Sequence, residues 1–315
     1  MISTRPLNLR RLMYFVKSVE IGSLTQAAEV LYIAQPALSQ QLAVLESELK
    51  QTLLIRTKRG VAPTPAGAAL YRHALLIIRQ CEQAQSEVHS VAGDISGKVR
   101  IALAQSSMAE LLAMPLLHQI RDRHPGIVLD LNQNSGLRQS ELVMSGRIDL
   151  AILGTSLYTA GIPYGIRFTP VFEEPLYYLS ARRDIPEGPI KLADILDDYY
   201  ILANTEHFLR RIVEDAFQRM NRQPKVVAEI CKTSTLGEAI ASGLGSSVLP
   251  RSVAMHLRSE MPSISCHPIE APVIAHLALC EAERIQPTQA VQAARQVLLE
   301  VLERHVHTMR DHHKQ

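Results

Sequence analysis

Gln35, Pro36, Ser39, Gln40 and Ala43 fall on one side of the stretch QPALSQQLAVLESEL, whose opposite side carries Leu38, Leu42, Leu45 and Leu49 at helical spacing. Small, uncharged amide and hydroxyl groups turned away from an apolar stripe suit the major groove of double-stranded DNA. Gln can bond adenine at two atoms, Ser can bond several base edges, and Ala lets the helix approach closely. Pro36 places the start of this helix near Gln35, because its missing N–H would have no intrahelical partner in a first turn. Upstream, SLTQAAEVL begins with Ser23 and has Gln26 three residues later, the spacing at which two side chains reciprocally satisfy free amides at a helix start. Ser23, Thr25 and Gln26 therefore join the candidate DNA contacts, and Ala27, Ala28 and Leu31 supply a small apolar face. The whole reads as two short helices joined by a tight turn, a helix-turn-helix, although many small helical domains carry such a pair facing only water.

The flanking elements favour the DNA reading. Leu9 to Ile21 has Leu12, Phe15, Val16 and Val19 at helical spacing and Gly22 as its stop, which makes a supporting helix. After Leu49, LLIRTKRGVAPT is two β-prone pieces around Arg56, Thr57, Lys58, Arg59 and Gly60, the pattern of a two-stranded wing with a basic tip for phosphate or the minor groove. The charge distribution agrees. Over residues 1–60 basic side chains outnumber acidic ones two to one, whereas from residue 94 onward the two nearly balance, and the net charge is only +2.

From Leu9 to Gly67 the run LRRLMYFVKSVEIGSLTQAAEVLYIAQPALSQQLAVLESELKQTLLIRTKRGVAPTPAG resembles, without gaps, the N-terminal winged helix-turn-helix of LysR-type transcriptional regulators. Ala34, Leu24, Lys50 and Gln40 depart from the residues usual there (Ser, an aromatic, Gly and a basic residue), which bears on base preference and not on the fold. LLIRTKRGV, RQCEQAQ and AIASGLGSSVLP resemble the branch of the family concerned with nitrogen assimilation, and that resemblance implies action without a co-inducer.

Thr64, as an N-cap, and Pro65, at the first helical position, open a helix with no obvious break before Gly93. Leu70, Ala74, Ile77, Cys81, Ala84, Val88 and Val91 recur along it in steps of four and three, a coiled-coil seam, so it reads as a dimerisation helix more readily than as one packed on its own chain. Residues 93–97 read as a hinge. From Lys98 strands and helices alternate: KVRIALA, then one helix MAELLAMPLLHQIRDRH, then IVLDLNQ, LRQSELVMSG and IDLAILG, which predicts a parallel sheet covered by helices. A second such set follows, and near Pro268 the chain returns through HLALCE to a last helix from Thr288 to about Val306. The expected fold is α/β: a winged helix-turn-helix over 1–64, a linker helix over 65–93, and, as the resemblance implies, a two-lobed periplasmic-binding-protein-like effector domain over 94–315. Its lobes would take residues 98–164 with 269–306, and 165–268.

In open α/β sheets ligands bind beyond the carboxyl ends of the strands. That rule selects Gln105, Ser106 and Ser107, then Asn132 and Asn134, then Gly154 and Thr155, and finally Thr233, Ser234 and Thr235, each of which could equally be a cap or turn residue. Together they suit a small polar or acidic effector, with Ser106 and Ser107 at a helix start that favours negative charge. Arg138 is the nearest basic candidate to pair with an acid.

Nothing in the sequence marks an enzyme. There is no G-x-S-x-G elbow and no HExxH; GDISGKV lacks the spacing and the Ser or Thr of a phosphate loop, and GLGSS lacks a third glycine. Cys81, Cys231, Cys266 and Cys280 lie far apart with no CxxC pair, so neither zinc nor disulfides are expected, and His305, His307, His312 and His313 read as a solvated tail. No cofactor, catalytic residue or metal ligand is assigned. No apolar run approaches a membrane span and MISTRPLNLRR is no signal peptide, so a soluble cytoplasmic protein is expected. The reading is a sequence-specific regulator acting as a homodimer or homotetramer on a promoter inverted repeat, with RNA polymerase as a further partner. The rival is a small-molecule-binding or catalytic α/β protein whose N-terminal helices only oligomerise it.

Overall fold

A computed structural model of the chain describes residues 7–57, 60–90, 95–132, 138–155, 165–270 and 273–311. It divides into two units, Met1–Ala92 with Ser145–Arg147, and Gly93–Met144 with Ile148–Gln315.

In the first unit, helix α1 (Leu9–Ile21) starts at Asn8, whose Oδ1 accepts the Arg11 N–H at 3.2 Å, and stops at Gly22, whose φ of 72° is the left-handed turn that ends helices. Helix α2 (Leu24–Val30) is capped by Ser23, whose Oγ accepts the Gln26 N–H at 3.4 Å. The return bond from the Gln26 side chain is not made among the described residues, so the expected reciprocal box is half formed. Helix α3 (Gln35–Leu49) begins at Gln35 with Pro36 in its first turn. It buries Leu38, Leu42 and Leu45 against Leu12, Phe15, Val16, Ala27 and Ala28, each large side chain contributing roughly 1.5–3 kcal/mol. Strands β1 (Leu54–Thr57) and β2 (Gly60–Pro63) pair antiparallel as the wing. Helix α4 (Pro65–Ser90) follows, with the Thr64 hydroxyl accepting the Gly67 N–H at 3.0 Å.

The second unit opens with β3 (Gly97–Leu103). The single helix expected over 108–124 is broken into α5 (Met108–Leu111) and α6 (Ala113–Arg123). Pro115 explains the break: it has no N–H to donate to the Leu111 carbonyl and its ring crowds that group, so the chain starts again at Leu112. Then come β4 (Ile127–Asn132), α7 (Arg138–Met144), β5 (Leu150–Thr155) and β6 (Ile166–Ser180), a 15-residue strand. Beyond it lie β7 (Tyr199–Leu202), α8 (Phe208–Gln218), β8 (Lys225–Glu229), α9 (Thr233–Ala241), β9 (Ser247–Pro250), α10 (Arg251–Glu260), β10 (Ser265–Pro268), β11 (Ile274–Ala282) and α11 (Gln289–Asp311).

Strand β3 lies parallel to β4 and β5, as expected, but β11 enters antiparallel to β5 and β6, so the sheet is mixed. The cause is connectivity. The chain leaves for the second lobe along β6 and comes back along its neighbour β11, which must therefore run the other way. Strand β6 serves both lobes: residues 166–175 pair with β11, and residues 176–180 with β9 and β10. The lobe boundary expected at residue 165 thus falls at the beginning of a strand shared between the two. Separate cores hold each side. One is built on Val99, Ile101, Leu103, Leu150, Ile152, Leu279, Leu298 and Val301, the other on Tyr178, Tyr200, Phe217, Ile240 and Leu249.

Candidate nucleic-acid interface and effector cleft

The buried stripe of α3 turns its other side outward. Gln35, Pro36, Gln40 and Ala43 are exposed and Ser39 is half-buried, with the Gln35 amide donating to Ser39 Oγ at 3.1 Å. Ser23 is half-buried and Thr25 and Gln26 are exposed. The face is locked in orientation from behind. Arg11 on α1 donates to Gln41 at 3.0 Å and pairs with Glu48, while Glu46 accepts the Leu53 and Leu54 N–H groups at 2.8 and 3.1 Å, fixing the wing to the same helix. A closer lock lies at the wing's base. Gly60, with φ 129°, brings its Cα so near α1 that a Cβ there would meet the Gly22 carbonyl at 2.2 Å, and the Val61 N–H donates to that carbonyl at 2.8 Å. Arg56 and Thr57 are exposed on β1, Arg56 with a loose ion pair to Glu46 at 3.8 Å. Lys58 and Arg59 lie outside the described residues.

Sequence reasoning missed two features here. Tyr32, in the turn between α2 and α3, is 95% exposed with φ 55°, a left-handed backbone uncommon for a bulky residue. Beside it an open groove of about 510 Å³ is lined by Asn8, Leu9, Arg10, Tyr14, Ile33, Ala37 and Gln41. Only contact between the turn and α1, invisible to local pattern, could have revealed the groove.

The seam expected along α4 is split. Ala74 is fully buried in the core of its own unit, with Leu70, Tyr71, Leu75 and Ile78 packed on the same core, so Leu70 and Ala74 face inward. Ile77 and Val88 are 37% and 74% exposed, Ala84 is exposed and Cys81 half-buried. Val91 lies outside the described residues. Periodicity marks a stripe without saying what covers it, and the first turns of this stripe are covered by the chain itself.

In the second unit two of the strand-end residues, Ser106 and Thr233, meet across the lobes. Ser106 and Ser107 are buried, and the helix after them is a single turn, too short for the anion-favouring dipole expected of a helix start. Ser107 Oγ donates to the Ala104 carbonyl at 2.7 Å and caps Ala109. Ser106 Oγ lies 3.2 Å from Thr233 Oγ1, and both Thr233 Oγ1 and the Ser106 N–H donate to Glu110 Oε2, at 2.6 and 2.9 Å. Ser234 and Thr235 are exposed on α9, and Gln105 and Asn132 are half-buried. Asn134 and the side chains of Thr155 and Arg138 lie outside the described residues.

Among the described residues the second lobe packs against the end of β5. Phe208 presses on Gly154 so closely that a Cβ there would lie 2.1 Å from its ring, and His207 stacks on Phe208 at 5.0 Å. His207 accepts the Leu209 N–H at Nδ1, and its other side faces the Gln105 backbone; burial outweighs that backbone hydrogen bond and pushes this imidazole down to about 4, so it is neutral. Among the described residues a cavity of about 10 Å³ lies behind Ser106, lined among others by Leu202, Arg210, Leu236 and Ser247. That is room for one water, against the roughly 300 Å³ of a metabolite pocket. Among the described residues Arg210 lines this cavity, and it is already committed to Glu214 at 2.6 Å, Glu229 at 3.2 Å and the Ala203 carbonyl at 3.0 Å. Between the lobes Glu174 on β6 accepts the Ser252 N–H and hydroxyl at 3.0 and 3.1 Å and the Met108 N–H; burial raises its carboxyl above the ordinary range against the pull of these bonds.

Among the described residues no group of three His, Cys, Asp or Glu could hold a metal, and no helix is long and apolar enough to cross a membrane. Burial pushes the thiols of Cys266 and Cys280 up to about 11 and 12, away from nucleophilic use.

Residues 9–68 match the model of the bacterial regulatory helix-turn-helix protein, lysR family, and residues 92–303 match the LysR substrate binding domain. The chain belongs to the LysR family. It is a LysR-type DNA-binding transcriptional regulator and not an enzyme, which removes the rival expectation. It is 41% identical over 307 residues to the nitrogen assimilation regulatory protein nac of Klebsiella aerogenes, covering 95% of this chain and 96% of that protein. It is also 41% identical to the protein of that name from Escherichia coli, over 94% and 95% of the two chains. Among solved LysR-type folds, a full-length OxyR variant from Pseudomonas aeruginosa aligns with TM-score 0.69 and 24% identity over 95% of each chain. CbnR complexed with its target DNA aligns with TM-score 0.64 and 21% identity over 95% of this chain and 99% of that one.

Proposed function

We propose that this LysR-type regulator reads an interrupted inverted repeat in promoters of nitrogen-assimilation genes, in the cytoplasm, with RNA polymerase as its neighbour on the promoter. The exposed face of α3 carries the reading: Gln35, Ser39 and Gln40 offer donors and acceptors to base edges, while Arg56 with Lys58 and Arg59 neutralise phosphate. The domain division follows the sequence reading, with residues 1–64 binding DNA, 65–93 linking and 94–315 regulating. Two copies join through the part of α4 that its own core leaves uncovered, Ile77, Cys81, Ala84 and Val88, and pairs of dimers form the tetramer. The likeness to the nac proteins supports the nitrogen assignment. DNA binding needs no added metabolite, a reading supported among the described residues by Ser106, Ser107 and Thr233, which are buried and bonded to groups of the chain itself.

Genome-wide occupancy mapping tests the target class: enrichment upstream of genes for nitrogen uptake and use is expected, and its absence refutes the assignment. Mobility shifts on a bound promoter, with protein freed of small molecules and checked by mass spectrometry, test ligand independence. A rise in affinity of about tenfold or more on adding one metabolite overturns it.

A further inference from the structure

Glu110 sits between the two lobes as the side chain of an effector would. Its Oε2 collects two donors that the chain brings together from far apart: the Ser106 N–H on the first lobe at 2.9 Å and the Thr233 hydroxyl on the second at 2.6 Å. The cradle is built for an acceptor. Ser106 adopts a φ of 49°, in the left-handed region, and its N–H points to the carboxylate. Ser106 Oγ closes the ring, 3.2 Å from Thr233 Oγ1 and 3.4 Å from the Cys231 carbonyl. Ser106 is 1% exposed and Thr233 8%, so the donors are withdrawn from water and would be unsatisfied without a partner.

We propose that Glu110 is a tethered ligand: its carboxylate occupies the inter-lobe cradle that a small monocarboxylate would otherwise take, and it holds the lobes together in the metabolite's place. The inference rests on the ligand-independent reading above. A free acid reaches these donors only by displacing a carboxylate whose effective concentration is set by its own backbone, so ordinary metabolite levels do not compete. Cutting the side chain back to Cβ removes two carbons and two oxygens, the heavy atoms of acetate. The emptied cradle should therefore accept acetate itself.

The test uses the full chain. Melting temperature is measured for wild type and Glu110→Ala in rising sodium acetate, with sodium chloride matching ionic strength and pivalate as a carboxylate too wide for the space. Glu110→Ala is expected to melt lower and to recover with acetate along a saturable curve, as ligand linkage requires, while wild type does not respond and chloride and pivalate restore nothing. Equal acetate responses in both proteins, or a folded Glu110→Ala indifferent to acetate, overturn the proposal. Should Glu110→Ala fail to fold, Thr233→Val keeps the carboxylate and removes the Thr233 hydroxyl's bonds to Glu110 and Ser106 across the lobes. Amide exchange over residues 104–112 is then expected to quicken about tenfold, and unchanged exchange counts against the tether. No DNA enters either assay, so a failure here is separable from a failure of ligand independence, which the wild-type DNA titration reads alone.

Discussion

Two sets of hydroxyl and amide side chains, alike in chemistry, end in opposite circumstances. Gln35, Gln40 and Thr25 stand in water on the first unit, with Ser39 half-buried beside them, backed by an apolar stripe and offered outward. Ser106, Ser107 and Thr233 of the second unit are buried and spend their bonds on Glu110, Ala104 and each other. A polar group held rigidly at a surface is ready for an external partner. A polar group buried and satisfied has its partner already, and substituting it is felt as stability, not as recognition.

The largest test of this division concerns an outward face that is apolar. Ala84→Asp would place a charge beside its own copy in a desolvated seam, and it is expected to dissociate the DNA-binding dimer. Sedimentation at micromolar concentration reads the result, and an unchanged assembly would show that the exposed part of α4 meets only water.

Next come the buried groups. Glu174→Ala leaves the Ser252 and Met108 donors unpaired and should cost roughly 3 kcal/mol in denaturant titration, with base preference untouched. The same carboxylate and His207 divide the pH dependence between them. The raised carboxyl of Glu174 binds its proton more readily folded than unfolded, so its contribution to stability is full below the ordinary 4.5 and declines as pH rises through its folded value. His207, depressed from 6.5 to about 4, does the reverse: its contribution is full above 6.5 and is lost as pH falls towards 4. His207→Gln should therefore flatten the acid side of the stability profile by an amount on the order of 3 kcal/mol, while Glu174→Gln steepens it. Thermal melts from pH 4 to 7 with each variant separate the two, and identical profiles would dissolve the assignment.

Smaller effects belong to the reading face. Gln35→Ala or Ser39→Ala should relax discrimination among DNA sequences by roughly 1–3 kcal/mol per good contact while leaving the melting temperature in place. Arg56→Ala or Lys58→Ala should instead weaken all sequences alike and reduce the salt slope by about one phosphate contact, an effect moderated at Arg56 by its loose pairing with Glu46. Equal loss of discrimination from both classes would end the distinction between positioning and reading.

The helix boundaries at Gln35, Pro65 and Gln289, and the face of α3, could be read from the sequence because caps, Pro and Leu spacing act within a few residues. The interior of the cleft could not. Glu110 follows the N-cap Ser107 by three residues and bonds Ser106 locally, but its bond to Thr233, like the approach of His207, Phe208 and Arg210 to the first lobe, forms only after the chain has travelled through another lobe. A strand-end rule finds the place where a ligand binds, but it does not see a side chain of the same protein already there. The mixed sheet escaped for a related reason, since antiparallel entry of β11 follows from where β6 has been and not from the residues of either strand.

Strand β6 has a consequence for synthesis. Its partner β11 and the helix α11 that completes the first lobe's core lie beyond the whole second lobe in the chain, with Leu302 among the last residues buried. The core of the reading unit, by contrast, is complete by Ile78. At roughly 5–20 residues per second the ribosome needs about 10–45 s to travel between those two points. Through that interval the winged helix is finished, while β5 and residues 166–175 of β6 wait with open edges for a strand not yet made.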